Sequence, residues 1–170
     1  VSVTVFTEPQ KAQAAINAAF GEFRTADRLL SIHRPDSELA RANKGEPVNP
    51  ELNRVLNQAL EISKQTKGAF DPTIRPLVGL WGFIKKEGYR LPRPNELKPV
   101  LELVDYRKVT LKNERLEFGI KGMSIDSGGF GKGYAVDRAI EALKKAGIKN
   151  AMVKAGGDLR VMGLPPGKTH

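Results

Sequence analysis

SIDSGGFGKGYAVD, residues 124–137, is the stretch of this sequence that decides its fold. Met123–Asp126 is predicted to be a short strand, and apolar residues at helical spacing continue after the glycines to Ala146, where Gly147 predicts the helix end. Four glycines lie between these two segments, at positions 128, 129, 131 and 133. The pattern therefore indicates a strand that passes through a glycine-rich turn into a helix.

The residue types in this turn predict a phosphate site. Glycines let backbone amides approach an anion closely, because no Cβ stands in the way. The following helix adds N–H groups and the positive end of its dipole, and Lys132 adds a mobile positive charge. Asp126, just before the turn, is suited to a sugar or ring polar group, or to a metal. The alternative is a tight turn whose glycines only let strand and helix pack, because the sequence matches neither a P-loop nor GxGxxG.

The rest of the chain predicts an α+β fold with mixed or antiparallel sheets and packed helices, because helices and strands do not alternate regularly. Two segments are predicted to be irregular: the polar Ser31–Pro50, and Ala69–Arg93, whose apolar residues predict burial or a cavity wall. No linker is visible, so one domain over residues 1–170 is expected. The predicted elements are a strand at Val1–Phe6, helices from Thr7 to about Leu29, from Pro50 (capped by Asn49) to Gly68 and near Glu96–Val104, a hairpin around Asn113, and strands at Ala151–Val153 and Leu159–Met162 joined by Gly156-Gly157-Asp158.

Composition narrows the classes of function. Hydrophobic residues make up 40% and charged residues 28%, and there is no cysteine, which excludes disulfides and thiol nucleophiles. The 28 Lys and Arg residues against 19 Asp and Glu give a net charge of +9, which favours anionic partners such as phosphates, nucleotides, nucleic acid or lipid headgroups. Nucleic-acid binding is not expected, because the chain has no clustered basic run, helix-turn-helix pattern or RNP-like strand. Neither histidine, His33 or His170, has a visible triad partner.

Four segments, in order along the chain, resemble the ApbE family, the FAD:protein FMN transferases or flavin transferases. Because they span nearly the whole chain, the resemblance is far more specific than any one motif. It implies an ApbE-like, T-fold-like α+β architecture. The segments are SIHRPDSELARAN at residues 31–43, GAFDPTIRPLVGLWGF at 68–83, DSGGFGKGYAVD at 126–137 and NAMVKAGGDLRVMG at 150–163.

The resemblance implies an activity and its partners. The implied reaction is a magnesium-dependent transfer of FMN from FAD to a threonine of an acceptor flavoprotein, with release of AMP. FAD is the substrate, Mg²⁺ the metal, and the acceptor flavoprotein the protein partner. The family also suggests a bacterial cell envelope or periplasmic location, and membrane association through an N-terminal anchor that this chain does not contain.

The resemblance also implies roles for individual residues. Asp126 and Lys132 correspond to family residues that contact FAD, and His33 stands where the family usually has an aromatic residue beside the cofactor. Gly129 stands where the family offers an oxygen to magnesium, so its ligand would be the backbone carbonyl. The segment that lines the flavin pocket contains Leu80, Trp81 and Gly82. The motif positions without an assigned contact are Asn43, Asp71 and Asp158.

Simpler structural roles are the alternative for several of these residues. Trp81 and Phe83 are equally compatible with the core. Ser37, with its acidic neighbours, is suited to a turn and a helix cap, and Asp71, which precedes a proline, to fixing a turn.

The chain departs from the family pattern in two ways. Ser127, Phe130 and Gly131 differ from the common motif, but the glycines, Asp126 and Lys132 remain, so ligand binding is expected to survive. The chain is also expected to be truncated on its C-terminal side, where the family carries further metal ligands and a histidine near the reaction centre. The catalytic residues are thus expected outside this chain, and the alternative function is an FAD-binding module or an FAD pyrophosphatase without transfer activity.

Overall fold

The structure is a computed structural model and describes residues 1–84, 89–165 and 167. It contains helices and antiparallel sheets, so the predicted α+β class is confirmed. The chain divides into two compact units: the terminal unit, residues 1–28 with the described residues from 130 onward, and the central unit, residues 29–129. One domain over residues 1–170 stays a prediction. None of the helices in the described ranges is both long and apolar enough to span a bilayer.

The terminal unit packs two helices with a three-stranded antiparallel sheet in the order β1–β4–β5. Alternate residues of β4 are buried at Ala151, Val153 and Ala155, as a strand with one covered face requires. The helices bury residues three and four apart in sequence. The elements are β1 (Ser2–Val5), α1 (Pro9–Leu30, whose last two residues belong to the central unit), α6 (Gly131–Lys145), β4 (Ala151–Ala155) and β5 (Asp158–Met162), and the buried helical residues are Ala15, Ala19, Val136, Ala139, Ile140 and Leu143.

Both predicted hairpins are confirmed. β4 and β5 are joined by Gly156 and Gly157, with Ala155 paired to Asp158, so Asp158 belongs to the strand and not to the turn. Gly156 has a φ of 62°, a left-handed conformation that glycine adopts without steric cost. In the central unit, β2 (Val109–Lys112) and β3 (Arg115–Phe118) are joined by two residues that both have positive φ, as a type I′ turn requires.

The longest helix that lies wholly in the central unit, α3 (Pro50–Gln65), begins at its predicted start and ends three residues before Gly68, the predicted end. The Asn49 side chain accepts a hydrogen bond from the Leu52 N–H at 2.8 Å, and Pro50 occupies the first turn. Beyond the helix, Gly68 has a φ of 86°. The buried face consists of Leu52, Val55, Leu56, Ala59 and Leu60.

The two segments predicted to be irregular contain short helices. The first holds α2 (Glu38–Ala42), capped by Ser37, whose Oγ accepts from the Ala40 N–H at 3.0 Å; the cap interpretation of Ser37 is therefore confirmed. The second holds a 3-10 helix (Pro72–Ile74) and α4 (Arg75–Leu80). The burial predicted for this second segment is only partial, since Phe83 is 51% exposed. Residues 85–88 of this segment lie outside the described residues. The remaining helices of the unit are α5 (Pro94–Leu101) and a 3-10 helix at Tyr106–Lys108.

Candidate functional site

In the central unit, the segment that leads to Asp126 has no regular secondary structure, so the predicted strand over Met123–Asp126 is wrong. Its hydrogen bonds explain why. The Ile125 N–H donates to Asn43 Oδ1 at 2.8 Å, and Asn43 Nδ2 donates to the Ile125 carbonyl at 2.9 Å. The Asp126 N–H donates to the Pro72 carbonyl at 2.8 Å. Because the Asn43 side chain and the Pro72 carbonyl satisfy this backbone, no neighbouring strand is needed. Asn43 is thus a residue that fixes the segment.

The Asp126 side chain is only 6% exposed, and its two oxygens have different surroundings. Oδ1 accepts a hydrogen bond from the Gly128 N–H at 2.7 Å. Oδ2 lies 4.0 Å from Arg75 Nη1, and within the described residues neither of these two buried atoms has a hydrogen-bond partner. A second nitrogen of the Arg75 guanidinium, Nη2, donates to the Ile32 carbonyl at 3.3 Å. A single guanidinium therefore compensates a buried carboxylate that keeps one oxygen able to accept a further hydrogen bond.

The first two glycines of the turn are required by their neighbours in the central unit. A Cβ on Gly128 would lie 2.8 Å from Asp126 Oδ1, and a Cβ on Gly129 would lie 3.0 Å from Phe70 Cε2. Both distances are shorter than ordinary packing allows. The Gly128 N–H is also engaged by Asp126. For this half of the turn, the tight-turn alternative is the better interpretation.

Asp71 fixes a turn and ties two loops together. Its Oδ1 accepts from the Thr73 N–H at 2.8 Å and from Thr73 Oγ1 at 2.6 Å, and its Oδ2 accepts from the Tyr106 N–H at 2.9 Å. Thr73 Oγ1 in turn accepts from the Asp105 N–H at 2.9 Å. Hydrogen bonds from Arg107 hold the pKa of Asp105 below its usual value. This network braces the 3-10 helix whose Pro72 carbonyl receives the Asp126 amide.

His33 lies on a groove of about 340 Å³ in the central unit. Three of the side chains that line this groove are basic, and the resemblance implies a role for only one of them, His33. The sequence does contain a signal for Arg75, because it is the first charged residue after Asp71 in an otherwise apolar segment. The lining residues are Ile32, His33, Pro35, Ala40, Asn43, Lys44 and Arg75.

In the terminal unit, Lys132 lies in the first turn of α6, and this first turn contains no acidic residue. Phe130, at the cap position, has no side-chain oxygen with which to cap the helix. Lys132 Nζ lies 3.6 Å from Asp158 Oδ2, and the two side chains are 54% and 45% exposed. A Cβ on Gly156 would lie 3.7 Å from Lys132 Cδ, so the lysine stem passes over the β4–β5 turn. Gly133 has nothing within 4 Å of a Cβ position.

Comparisons with known proteins identify the family. The model of the ApbE family matches residues 1–170. The chain belongs to the ApbE family. It is 32% identical over 145 residues to the FAD:protein FMN transferase of Haemophilus influenzae, covering 79% of this chain and 42% of that protein. It is 34% identical over 151 residues to the FAD:protein FMN transferase of Vibrio cholerae, covering 81% of this chain and 45% of that protein.

Solved ApbE structures share the fold. The flavin transferase ApbE of Vibrio cholerae superposes with a TM-score of 0.86 at 27% identity, covering 95% of this chain and 55% of that one. The ApbE protein of Thermotoga maritima gives a TM-score of 0.86 at 29% identity, covering 98% of this chain and 57% of that one. The predicted ApbE-like architecture is therefore confirmed. The chain spans less than half the length of the two curated relatives.

The structure distributes the ApbE motif residues between the two units. In the central unit it brings Asp126, Arg75 and Asn43 together and places His33 on the groove that Arg75 and Asn43 also line. Leu80, Trp81 and Gly82 are half-buried at the end of α4 and just after it and do not line that groove, so their predicted flavin contacts stay predictions. Lys132 lies with Asp158 in the terminal unit.

Proposed function

We propose that this ApbE chain is the FAD-binding part of an FAD:protein FMN transferase, which moves FMN from FAD to a threonine of an acceptor flavoprotein and releases AMP. The observation that carries the proposal is the positive first turn of α6, in which Lys132 stands between two glycines at a helix start without an acidic residue. The names of the relatives from Haemophilus influenzae and Vibrio cholerae support the transfer of FMN from FAD to a protein.

The first turn of α6 is electrostatically suited to a diphosphate. N–H groups in a first helical turn lack partners within the helix and carry the positive end of its dipole. A cation in that turn opposes the helix by about 0.3–1 kcal/mol, the reverse of the gain from a cation at the other end. Lys132 is such a cation, so a bound anion would relieve this repulsion and also receive hydrogen bonds. The open space beside Gly133 leaves the turn accessible.

In the proposed reaction, the threonine Oγ of the acceptor attacks the FMN phosphorus of FAD. The new Oγ–P bond forms as the bond from that phosphorus to the bridging oxygen breaks, and AMP departs with this oxygen and the electron pair. The hydroxyl proton passes to a base or to solvent. Catalysis of this kind depends mainly on positioning and charge neutralisation. The role of Lys132 in it is to hold negative charge on the diphosphate.

Mg²⁺ is the metal that the family resemblance implies, and the described residues do not by themselves form a complete site for it. They contain no group of three or more His, Cys, Asp or Glu side chains that could hold a metal ion. The Gly129 carbonyl alone does not make a magnesium site, because Mg²⁺ prefers octahedral oxygen coordination. We therefore assign no step to the metal, and the expectation rests on the family resemblance.

The predicted contact of Asp126 with FAD stays a prediction. Asp126 Oδ2 is buried and accepts no hydrogen bond within the described residues. Asn43 and the Pro72 carbonyl fix the backbone at Ile125 and Asp126, so the position of this carboxylate within the central unit is well determined.

Titration with FAD, followed by flavin fluorescence with and without Mg²⁺, tests binding. It is done on the 170-residue chain and on the longest natural polypeptide that contains it. Lys132→Ala should weaken FAD binding by about tenfold or more, since a hydrogen bond to a charged group contributes about 1.5–3 kcal/mol. Lys149→Ala, which removes an exposed lysine from the same unit, should not change it. The proposal is wrong if neither unaltered polypeptide binds FAD.

Transfer is tested with an acceptor flavoprotein and its target-threonine-to-alanine variant. The expected products are a fluorescent acceptor and one AMP for each FMN transferred, with no labelling of the variant. Release of FMN and AMP without labelling would indicate a pyrophosphatase, and binding without turnover would indicate a binding module. Either result would contradict the transferase.

A further inference from the structure

Two ion pairs link α6 to β5, and they differ in closeness. Arg160 Nη1 donates to Asp137 Oδ1 at 2.7 Å, a hydrogen-bonded pair. Lys132 Nζ lies 3.6 Å from Asp158 Oδ2, beyond hydrogen-bond distance. The first pair therefore holds its partners more firmly than the second. The second is the one that involves the cation of the proposed diphosphate site.

The position of the Lys132 side chain depends on the β4–β5 hairpin. Its stem passes over Gly156, where a Cβ would lie 3.7 Å from Lys132 Cδ, and its ammonium approaches Asp158, the first residue of β5. Both side chains are about half exposed. Pairs of this kind exchange partners easily, because water screens them and their side chains stay mobile. A diphosphate with two negative charges is a stronger partner for the same ammonium.

We propose that Asp158 is a positioning residue that competes with the substrate diphosphate for Lys132. Without ligand, Asp158 keeps the ammonium over the Gly156–Gly157 turn. When FAD binds, Lys132 transfers from the carboxylate to the phosphate oxygens, so Asp158 lowers the affinity for FAD and eases the release of anionic product. This inference rests on the proposed function, because it concerns the same cation, Lys132, and the residue that competes with FAD for it.

The test compares Asp158→Asn with Asp137→Asn, which removes an equal charge from the other ion pair described above between α6 and β5. FAD dissociation constants are measured by flavin fluorescence at low salt on the longest natural polypeptide. Asp158→Asn should tighten FAD binding about threefold, the size expected for an exposed pair, and Asp137→Asn should change it less than about 1.5-fold. The gain should shrink at high salt, and riboflavin, which has no phosphate, should bind both variants equally.

The Lys132→Ala background shows whether Asp158 acts through the lysine. There, Asp158→Asn should no longer tighten FAD binding. Unchanged or weaker binding by the single variant overturns the inference, and so does a gain that persists without Lys132. Asp158→Ser, checked for folding by thermal unfolding, should reproduce the gain if the carboxylate is what competes. If Lys132→Ala weakens binding but neither Asp158 variant tightens it, the proposed function stands and only this inference fails.

Discussion

The two halves of the glycine-rich stretch differ in what surrounds them. Residues 125–129 are held by Asn43, Pro72 and Arg75, and a Cβ on either of their glycines would collide with a neighbour. Residues 131–133 begin α6, Lys132 among them is exposed, and a Cβ on Gly133 would meet nothing within 4 Å. Glycine is thus required by packing in the first half, whereas in the second it leaves space that a ligand can use.

This difference separates scaffold from binding surface within one motif. The first half fixes a carboxylate in a buried position, where small changes should cost stability. The second half contributes little to packing, so changes there should alter ligand affinity more than stability. Substitutions in each half therefore test whether the two halves differ in this way.

Removing the charge partner of Asp126 should have the largest effect. Arg75→Met leaves a buried carboxylate without compensation, which should lower the free energy of unfolding by about 3 kcal/mol. Arg107→Met is the control, because Arg107 pairs with Asp105 but is 74% exposed, and its loss should cost at most about 1 kcal/mol. Urea denaturation measures both. Equal losses would show that burial of the Arg75–Asp126 pair does not matter.

Loss of the Asn43 side chain should have the second-largest effect on stability. Asn43→Ala leaves the N–H and carbonyl of Ile125 without their partners, so a loss of about 2 kcal/mol is expected. Asn57→Ala removes an exposed side chain that bonds only within its own helix and should cost less than about 0.5 kcal/mol. Unfolding midpoints in urea compare the two. If the variants were equally stable, Asn43 would not be the residue that fixes the Asp126 segment.

Crowding at Gly129 should have a smaller effect. Gly129→Ala places a methyl group 3.0 Å from the Phe70 ring, and overpacking of this kind costs about 1–2 kcal/mol. Phe70→Leu in the same chain should recover part of the loss, because the smaller side chain makes room. Thermal unfolding of the single and double variants checks this. No recovery would mean that the strain comes from somewhere other than Phe70.

Local signals made much of the fold predictable. Asn49 with Pro50 marks the start of α3, Gly147 follows the end of α6, and Asn113 lies in the β2–β3 turn. Each signal acts within a few residues, so the sequence around it is sufficient.

Contacts between distant residues could not be predicted in the same way. Asn43 and Ile125 are 82 positions apart, and nothing local shows that an asparagine side chain replaces the partner strand expected for residues 123–126. For the same reason, motif matching identified Asp126 but not Arg75 as its partner. The resemblance indicates which residues matter, whereas only the structure shows that the Asn43 and Asp71 side chains brace the backbone.

The smallest change in stability should come from the second half, and it should have the opposite sign. Gly133→Ala lies inside α6 with open space for its methyl group, so it should stabilise the protein by about 0.5–1 kcal/mol. If the first turn of α6 binds a diphosphate, the same methyl group should obstruct the ligand and weaken FAD binding. Gly21→Ala is the matched control, because Gly21 lies within α1 of the same unit and its Cβ would meet only Arg24 Nη2, at 3.8 Å. It should show the gain in stability without the loss of affinity. If Gly133→Ala behaved like Gly21→Ala in both measurements, the first turn of α6 would be part of the scaffold and the contrast between the two halves would disappear.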